Sequence, residues 1–127
     1  MRLEHDWLPR DLPSNVLLAP NVFLHSAYAF NHYRSRRPVG LRVGEHTAMY
    51  DGTMFDLGPS GEVEIGRYGI VYGTHFVADS RVVVGDYAYL SYEVFITDAD
   101  HPIPPVDPDY DATAQLSSTM VLLHKGV

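Results

Sequence analysis

Between Ile65 and Ile96 the chain reads IGRYGIVYGTHFVADSRVVVGDYAYLSYEVFI. Two apolar-glycine pairs, Ile65-Gly66 and Val84-Gly85, each open a series of apolar residues six positions apart. Val71 and Val77 follow the first pair, and Leu90 and Ile96 follow the second. Upstream, Val43-Gly44 opens a third series through Met49 and Phe55. An interval of six fits neither an amphipathic helix, with its period of 3.6, nor a lone strand, with its period of 2. It fits a chain that turns a corner after each short strand and aims one side chain per strand inward. That pattern predicts an all-β fold, a parallel β-helix of hexapeptide repeats with about four coils.

The corners follow the same phase. Four residues beyond each inward position the turn is tight and favours small side chains, and Thr47, Thr53, Gly69, Ala88 and Ser26 (counted from Val22) satisfy it. His75, Arg81 and Asp100 occupy that phase without being small. Three hexads make one coil of about eighteen residues. The step from Val43 to Ile65 is longer, and Gly58-Pro59-Ser60-Gly61 is the turn that holds the extra residues. The step from Ile65 to Val84 exceeds a coil by one residue, which predicts a bulge near Asp79 to Val82.

Outside the regular stretch the pattern weakens. Residues 1–14 carry Pro9 and Pro13 and read as an irregular lead-in that caps the first coil through Trp7 and Leu8. Residues 15–98 carry the coils, the first of them marked by Val16, Val22 and Tyr28. Asn31 to Pro38 is polar, contains Arg34, Arg36 and Arg37, and reads as a loop leading into a strand at Leu41 to Val43. From residue 99 to 118 Pro102, Pro104, Pro105 and Pro108 fall among Asp100, Asp107, Asp109 and Asp111, which suits a long loop and no strand. A loop of that length is a candidate functional element. Residues 119–127 read as the opening of a further coil that stops short, within one domain spanning 1–127.

Composition narrows the function classes. The formal net charge of −7 argues against nucleic acid as a partner, because phosphate neutralisation needs a basic surface. With no cysteine, the chain has no disulfide, thiolate zinc site or cysteine nucleophile. No apolar run approaches the ~20 residues of a membrane helix, and the first residues lack the apolar stretch of a signal peptide. The expectation is a cytoplasmic enzyme or binding protein with no membrane partner. Stacked coils also predict outward ladders, with His46, Tyr68 and Tyr87 in one column and Tyr50, Tyr72 and Ser91 in another. Tyrosine columns of this kind suit lateral contacts between subunits.

The run from Ile65 to Pro105, ending in ITDADHPIPP, resembles the hexapeptide-repeat acyltransferases, which fold as left-handed parallel β-helices. It is most similar to the sugar O-acetyltransferases of the maltose and xenobiotic acetyltransferase branch. The resemblance implies a homotrimer that transfers an acyl group, acetyl from acetyl-coenzyme A, to a hydroxyl or amine of a small acceptor, without a metal. It places the general base at His101, at the end of a coil where the repeat breaks into a loop. A neutral imidazole, with a pKa near ~6.5, suits this role, because the acceptor's proton must leave as the acyl bond forms. Asp98 or Asp100 would orient the ring and stabilise its charged form. His75 and Tyr92 are the candidate contacts to the acceptor, and Arg34, Arg36 and Arg37 the candidate contacts to the coenzyme A phosphates.

Two other readings compete. One is a non-catalytic, C-terminally shortened β-helix that binds a ligand or supports an assembly. The other is a γ-type carbonic anhydrase, which uses the same fold with three histidines on zinc. His75 and His101 each lack a close histidine partner in sequence, which weighs against the zinc site.

Overall fold

The structure, a computed structural model, describes residues 1–98 and the strand at 120–123. Its strands form a parallel β-solenoid of about four turns with three faces. The first face carries β1 (Val16–Leu18), β3 (Leu41–Val43), β6 (Glu62–Ile65), β9 (Arg81–Val84) and β12 (Met120–Leu123), in that order. The second carries β2 (Phe23–Leu24), β4 (Ala48–Met49), β7 (Ile70–Val71) and β10 (Tyr89–Leu90). The third carries β5 (Met54–Leu57), β8 (His75–Ala78) and β11 (Phe95–Thr97); in the first coil a 3₁₀ turn, Ala27–Phe30, takes that side.

Each strand is short because only one or two of its side chains reach the axis. Val43, Ile65 and Val84 stack on one another, as do Met49, Val71 and Leu90, all 6% exposed or less. On the third side a column of rings runs Phe30, Phe55, Phe76, with centroids 5.5 and 5.1 Å apart and planes within 17°. The glycine after each leading residue has a packing reason. A Cβ on Gly44 would lie 2.7 Å from the Gly66 backbone, and one on Gly66 would lie 2.7 Å from the Asp86 amide. Coils at strand spacing leave no room for a side chain there. Two residues on, the chain turns through a left-handed conformation at Asn21, His46, Tyr68 and Tyr87, with φ between 57° and 63°. For the three aromatic residues this costs about 1 kcal/mol each, partly offset by ring stacking in the predicted column, at 5.0 and 5.4 Å.

Three phase assignments from the sequence are corrected. Phe76, fully buried, is the inward residue of β8, not Val77, and the small corner residue is Thr74, not His75. The corner Tyr72-Gly73-Thr74 has one residue fewer than Tyr50-Asp51-Gly52-Thr53 in the coil before, which moves the phase back by one. No bulge occurs near Asp79 to Val82; β9, Arg81 included, pairs residue for residue with β6, and Asp79-Ser80 is a two-residue turn. In the first coil the inward residues are Leu24 and Phe30 rather than Val22 and Tyr28, and Tyr28 is 45% exposed. The phase there runs from Leu18, because β1 sends both Val16 and Leu18 toward the core by strand alternation.

Capping also differs from expectation. Trp7 is exposed, and the lead-in covers the first coil with Leu12, which is buried, and with Leu3 and Leu8 packed against the core. Polar contacts lock it: Asp6 accepts from the Leu8 and Ala27 amides at 2.9 and 2.7 Å, and His5 Nε2 lies 2.7 Å from the Leu24 carbonyl.

Candidate functional site

The edge between the third and first faces distinguishes one coil from the next. The first coil crosses it with residues 31–40, the second with 58–61 and the third with only Asp79 and Ser80. The fourth reaches it at Asp98, and after residues 99–119, which lie outside the described residues, β12 lies on the first face in register with β9. All the long connections therefore leave from one edge, and in solenoids such insertions commonly build the binding face.

Asp98 sits at the root of the last connection and is 3% exposed. Its Oδ1 accepts from the Asp79 amide at 2.8 Å, and its Oδ2 accepts from the Ser80 and Arg81 amides at 2.8 and 2.6 Å. Three amides of one turn converge on it, so in this structure Asp98 closes the turn of the coil below. Its predicted companions, Asp100 and His101, lie outside the described residues.

The arginine loop is braced from below. Asn15 donates through Nδ2 to the carbonyls of Ser35 and Arg37, at 3.1 and 2.9 Å, and accepts from the Tyr33 hydroxyl at 2.8 Å. Burial pushes the Tyr33 phenol up to about 12, against smaller opposing effects of its bonds to Ser35 and Asn15. Ser35 Oγ donates to the Gly61 carbonyl at 2.7 Å. The amides of Arg34 and Arg36 donate to the carbonyls of Leu57 and Pro59, each at 2.9 Å. Donors two apart on acceptors two apart are a ladder spacing, so alternate residues share a side. Arg34 and Arg36 accordingly share the exposed side of the loop, and Arg37, Ser14, Asn15 and Ser35 join them in lining one open hollow.

A second hollow, about 610 Å³, lies on the other side of Arg34 and is lined by Asn31, His32, Asp56, Gly58, Val77 and Asp79. Beside it the structure joins two side chains that the sequence leaves apart. His75 Nε2 is 2.5 Å from Asp56 Oδ2, across neighbouring strands β8 and β5. The other carboxylate oxygen, Asp56 Oδ1, is buried and has no hydrogen-bond partner. His75 also packs on Phe95, centroids 4.7 Å apart. With Nε2–H donating to the carboxylate, the pair can accept a proton at Nδ1, an arrangement suited to acid-base work or to gripping a hydroxyl.

The structure thus brings Arg34, Arg36 and Arg37 onto the same edge as the root of 99–119, and sets His75 on the adjoining face. Tyr92 lies at the opposite corner of that face, 62% exposed, with its ring 5.3 Å from Tyr72. It is Tyr92, not Ser91, that meets Tyr72 at the top of the second predicted column; Tyr50 and Tyr72 stack at 4.6 Å. Sequence reasoning missed Asp56 and Asn15. An acid between Phe55 and Leu57 marks an outward strand position, but its partner follows only from the shortened corner. Among the described residues no group of three or more His, Asp or Glu side chains is arranged to hold a metal ion, and no helix is long and apolar enough to cross a membrane.

Compared with protein families, with curated proteins and with solved structures, the chain finds no match in any of the three.

Proposed function

We propose that the protein is an acyltransferase that moves an acyl group, acetyl in the first instance, from coenzyme A to a hydroxyl or amine of a sugar or other small acceptor, and that it works as a homotrimer. The observation that supports this reading is the gathering of all long connections on one edge. The arginine loop and the root of the segment bearing His101 leave the same edge three coil spacings apart, ~14 Å at strand spacing. The resemblance in residues 65–105 supplies the chemistry. His101 takes the acceptor's proton as its oxygen or nitrogen attacks the thioester carbonyl, backbone amides hold the oxyanion, and the proton passes on to the departing thiol. Since both oxygens of Asp98 already serve backbone amides, Asp100 is the carboxylate left to orient the ring.

Calorimetric titration with acetyl-coenzyme A, with sedimentation of the same sample, tests the proposal. One site per subunit in a trimer, and acetyl transfer lost in His101→Ala at an unchanged melting midpoint, are the expected results. A well-folded protein that binds no acetyl-coenzyme A at high concentration would instead be a non-catalytic binding or assembly module. The uncharged second face favours that second reading, since Phe23, Ile70 and Tyr89 point outward from it, flanked by exposed Tyr68 and Tyr87.

A further inference from the structure

We propose that the hollow between the arginine loop and residues 13–15 is a binding site for a phosphate monoester, with the guanidinium groups of Arg34 and Arg36 as its principal donors. In a chain with 16 acidic and 9 basic residues an arginine finds a carboxylate easily. Arg2, Arg37, Arg67 and Arg81 each do so, while Arg10 bonds to Asn31 and Arg42 pairs with no carboxylate among the described residues. Arg34 and Arg36 are in no ion pair with any described residue, although they stand two apart on one side of a braced loop. The lining of the hollow contains no carboxylate.

The loop is also preorganised. The side chain of Asn15, held by three hydrogen bonds, fixes the loop from inside, and the backbone of residues 34 and 36 is tied to the second coil. Arg37, 3.5 Å from Glu62, is tethered on the flank and adds positive charge without being the main donor. Two planar guanidinium groups on a fixed backbone offer the bidentate geometry that a phosphate dianion takes, and no backbone ordering is left for binding to accomplish. The Ser14 hydroxyl supplies a neutral donor at the rim, whereas the Ser35 hydroxyl is spent on the Gly61 carbonyl.

A phosphate monoester can come from two sources, the 3′-phosphate of coenzyme A or a phosphorylated acceptor. The first rests on the acyl-transfer reading; the second goes beyond it. The test is calorimetric titration of the full chain with inorganic phosphate, coenzyme A, 3′-dephospho-coenzyme A and a hexose 6-phosphate, repeated with the double variant Arg34→Gln/Arg36→Gln. The expected result is phosphate-dependent binding that weakens as salt rises and falls about 10- to 100-fold in the double variant, at an unchanged melting midpoint because both side chains are exposed. Weaker binding of the dephospho form identifies the cofactor as the source. Equal binding of both forms with tight binding of the hexose phosphate identifies the acceptor. Coenzyme A binding that survives both loss of the phosphate and the double substitution overturns this inference and leaves acyl transfer standing. Phosphate binding without acetyl transfer does the reverse. A wild-type chain that binds none of the four probes overturns the inference outright.

Discussion

Asp98 Oδ2 accepts a hydrogen bond from the Arg81 amide at 2.6 Å, tying the end of the fourth coil to the turn of the third. With the Ser80 and Asp79 amides on the same carboxylate, three otherwise orphaned donors depend on one side chain. Asp98→Ala should cost about 1.5–3 kcal/mol, the loss expected when part-buried amides lose a charged acceptor, measured as a shift in urea midpoint at constant slope. Asp98→Asn, which keeps one acceptor oxygen, should fall between. A wild-type midpoint in Asp98→Ala would mean that the turn does not need the carboxylate.

Phe76 and Val77 are neighbours with opposite fates, and mutation separates them. Phe76 is fully buried in the ring column above Phe55, so Phe76→Ala should destabilise by about 3–5 kcal/mol through a cavity that the flanking coils cannot close. Val77 faces outward beside the second hollow, and Val77→Ala should cost less than about 1 kcal/mol. The reverse order would restore the phase predicted from the six-residue interval.

Gly66 separates two coils by the absence of a side chain. A Cβ there would come within 2.8 Å of the Gly85 backbone, and backbone cannot yield without parting the strands on either side. Gly66→Ala should therefore destabilise by about 1–3 kcal/mol despite alanine's lower entropy in the unfolded chain. Thermal denaturation of the purified variant checks this, and a raised midpoint would contradict it.

His25 predicts how stability responds to acid. Burial lowers its pKa, and the nearby carboxylates of Asp51 and Asp6 only partly oppose this. Its Nδ1 is buried without a partner. The unfolded chain therefore binds more protons than the folded one once pH falls below the ordinary histidine value near ~6.5, and stability is lost as pH drops through that range. Melting midpoints at neutral and mildly acidic pH should differ more for the wild type than for His25→Gln. Equal differences would show that the acid response arises elsewhere.

The local record of the fold in the sequence is the apolar-glycine pair and its six-residue echo. Each pair states a rule that one coil imposes on itself: a side chain inward, then no side chain where the next coil presses. That is why the inward residues Val43, Ile65 and Val84 and the ring column at His46, Tyr68 and Tyr87 were readable residue by residue. Periodicity loses its hold where a corner gains or loses a residue, since a single deletion inverts the alternation of the following strand. Tyr72-Gly73-Thr74 is such a place. It turned His75 outward and brought it to Asp56, nineteen positions earlier in the chain. The same holds for Asn15 beneath the arginine loop and for Asp98 beneath Arg81. These contacts join residues one coil apart, so they depend on how many residues each intervening corner consumes. The sequence alone determined the solenoid and the arginines, prolines and histidines along it. Only the tertiary structure decided that the long connections leave from one edge, because that depends on the summed length of every turn before them.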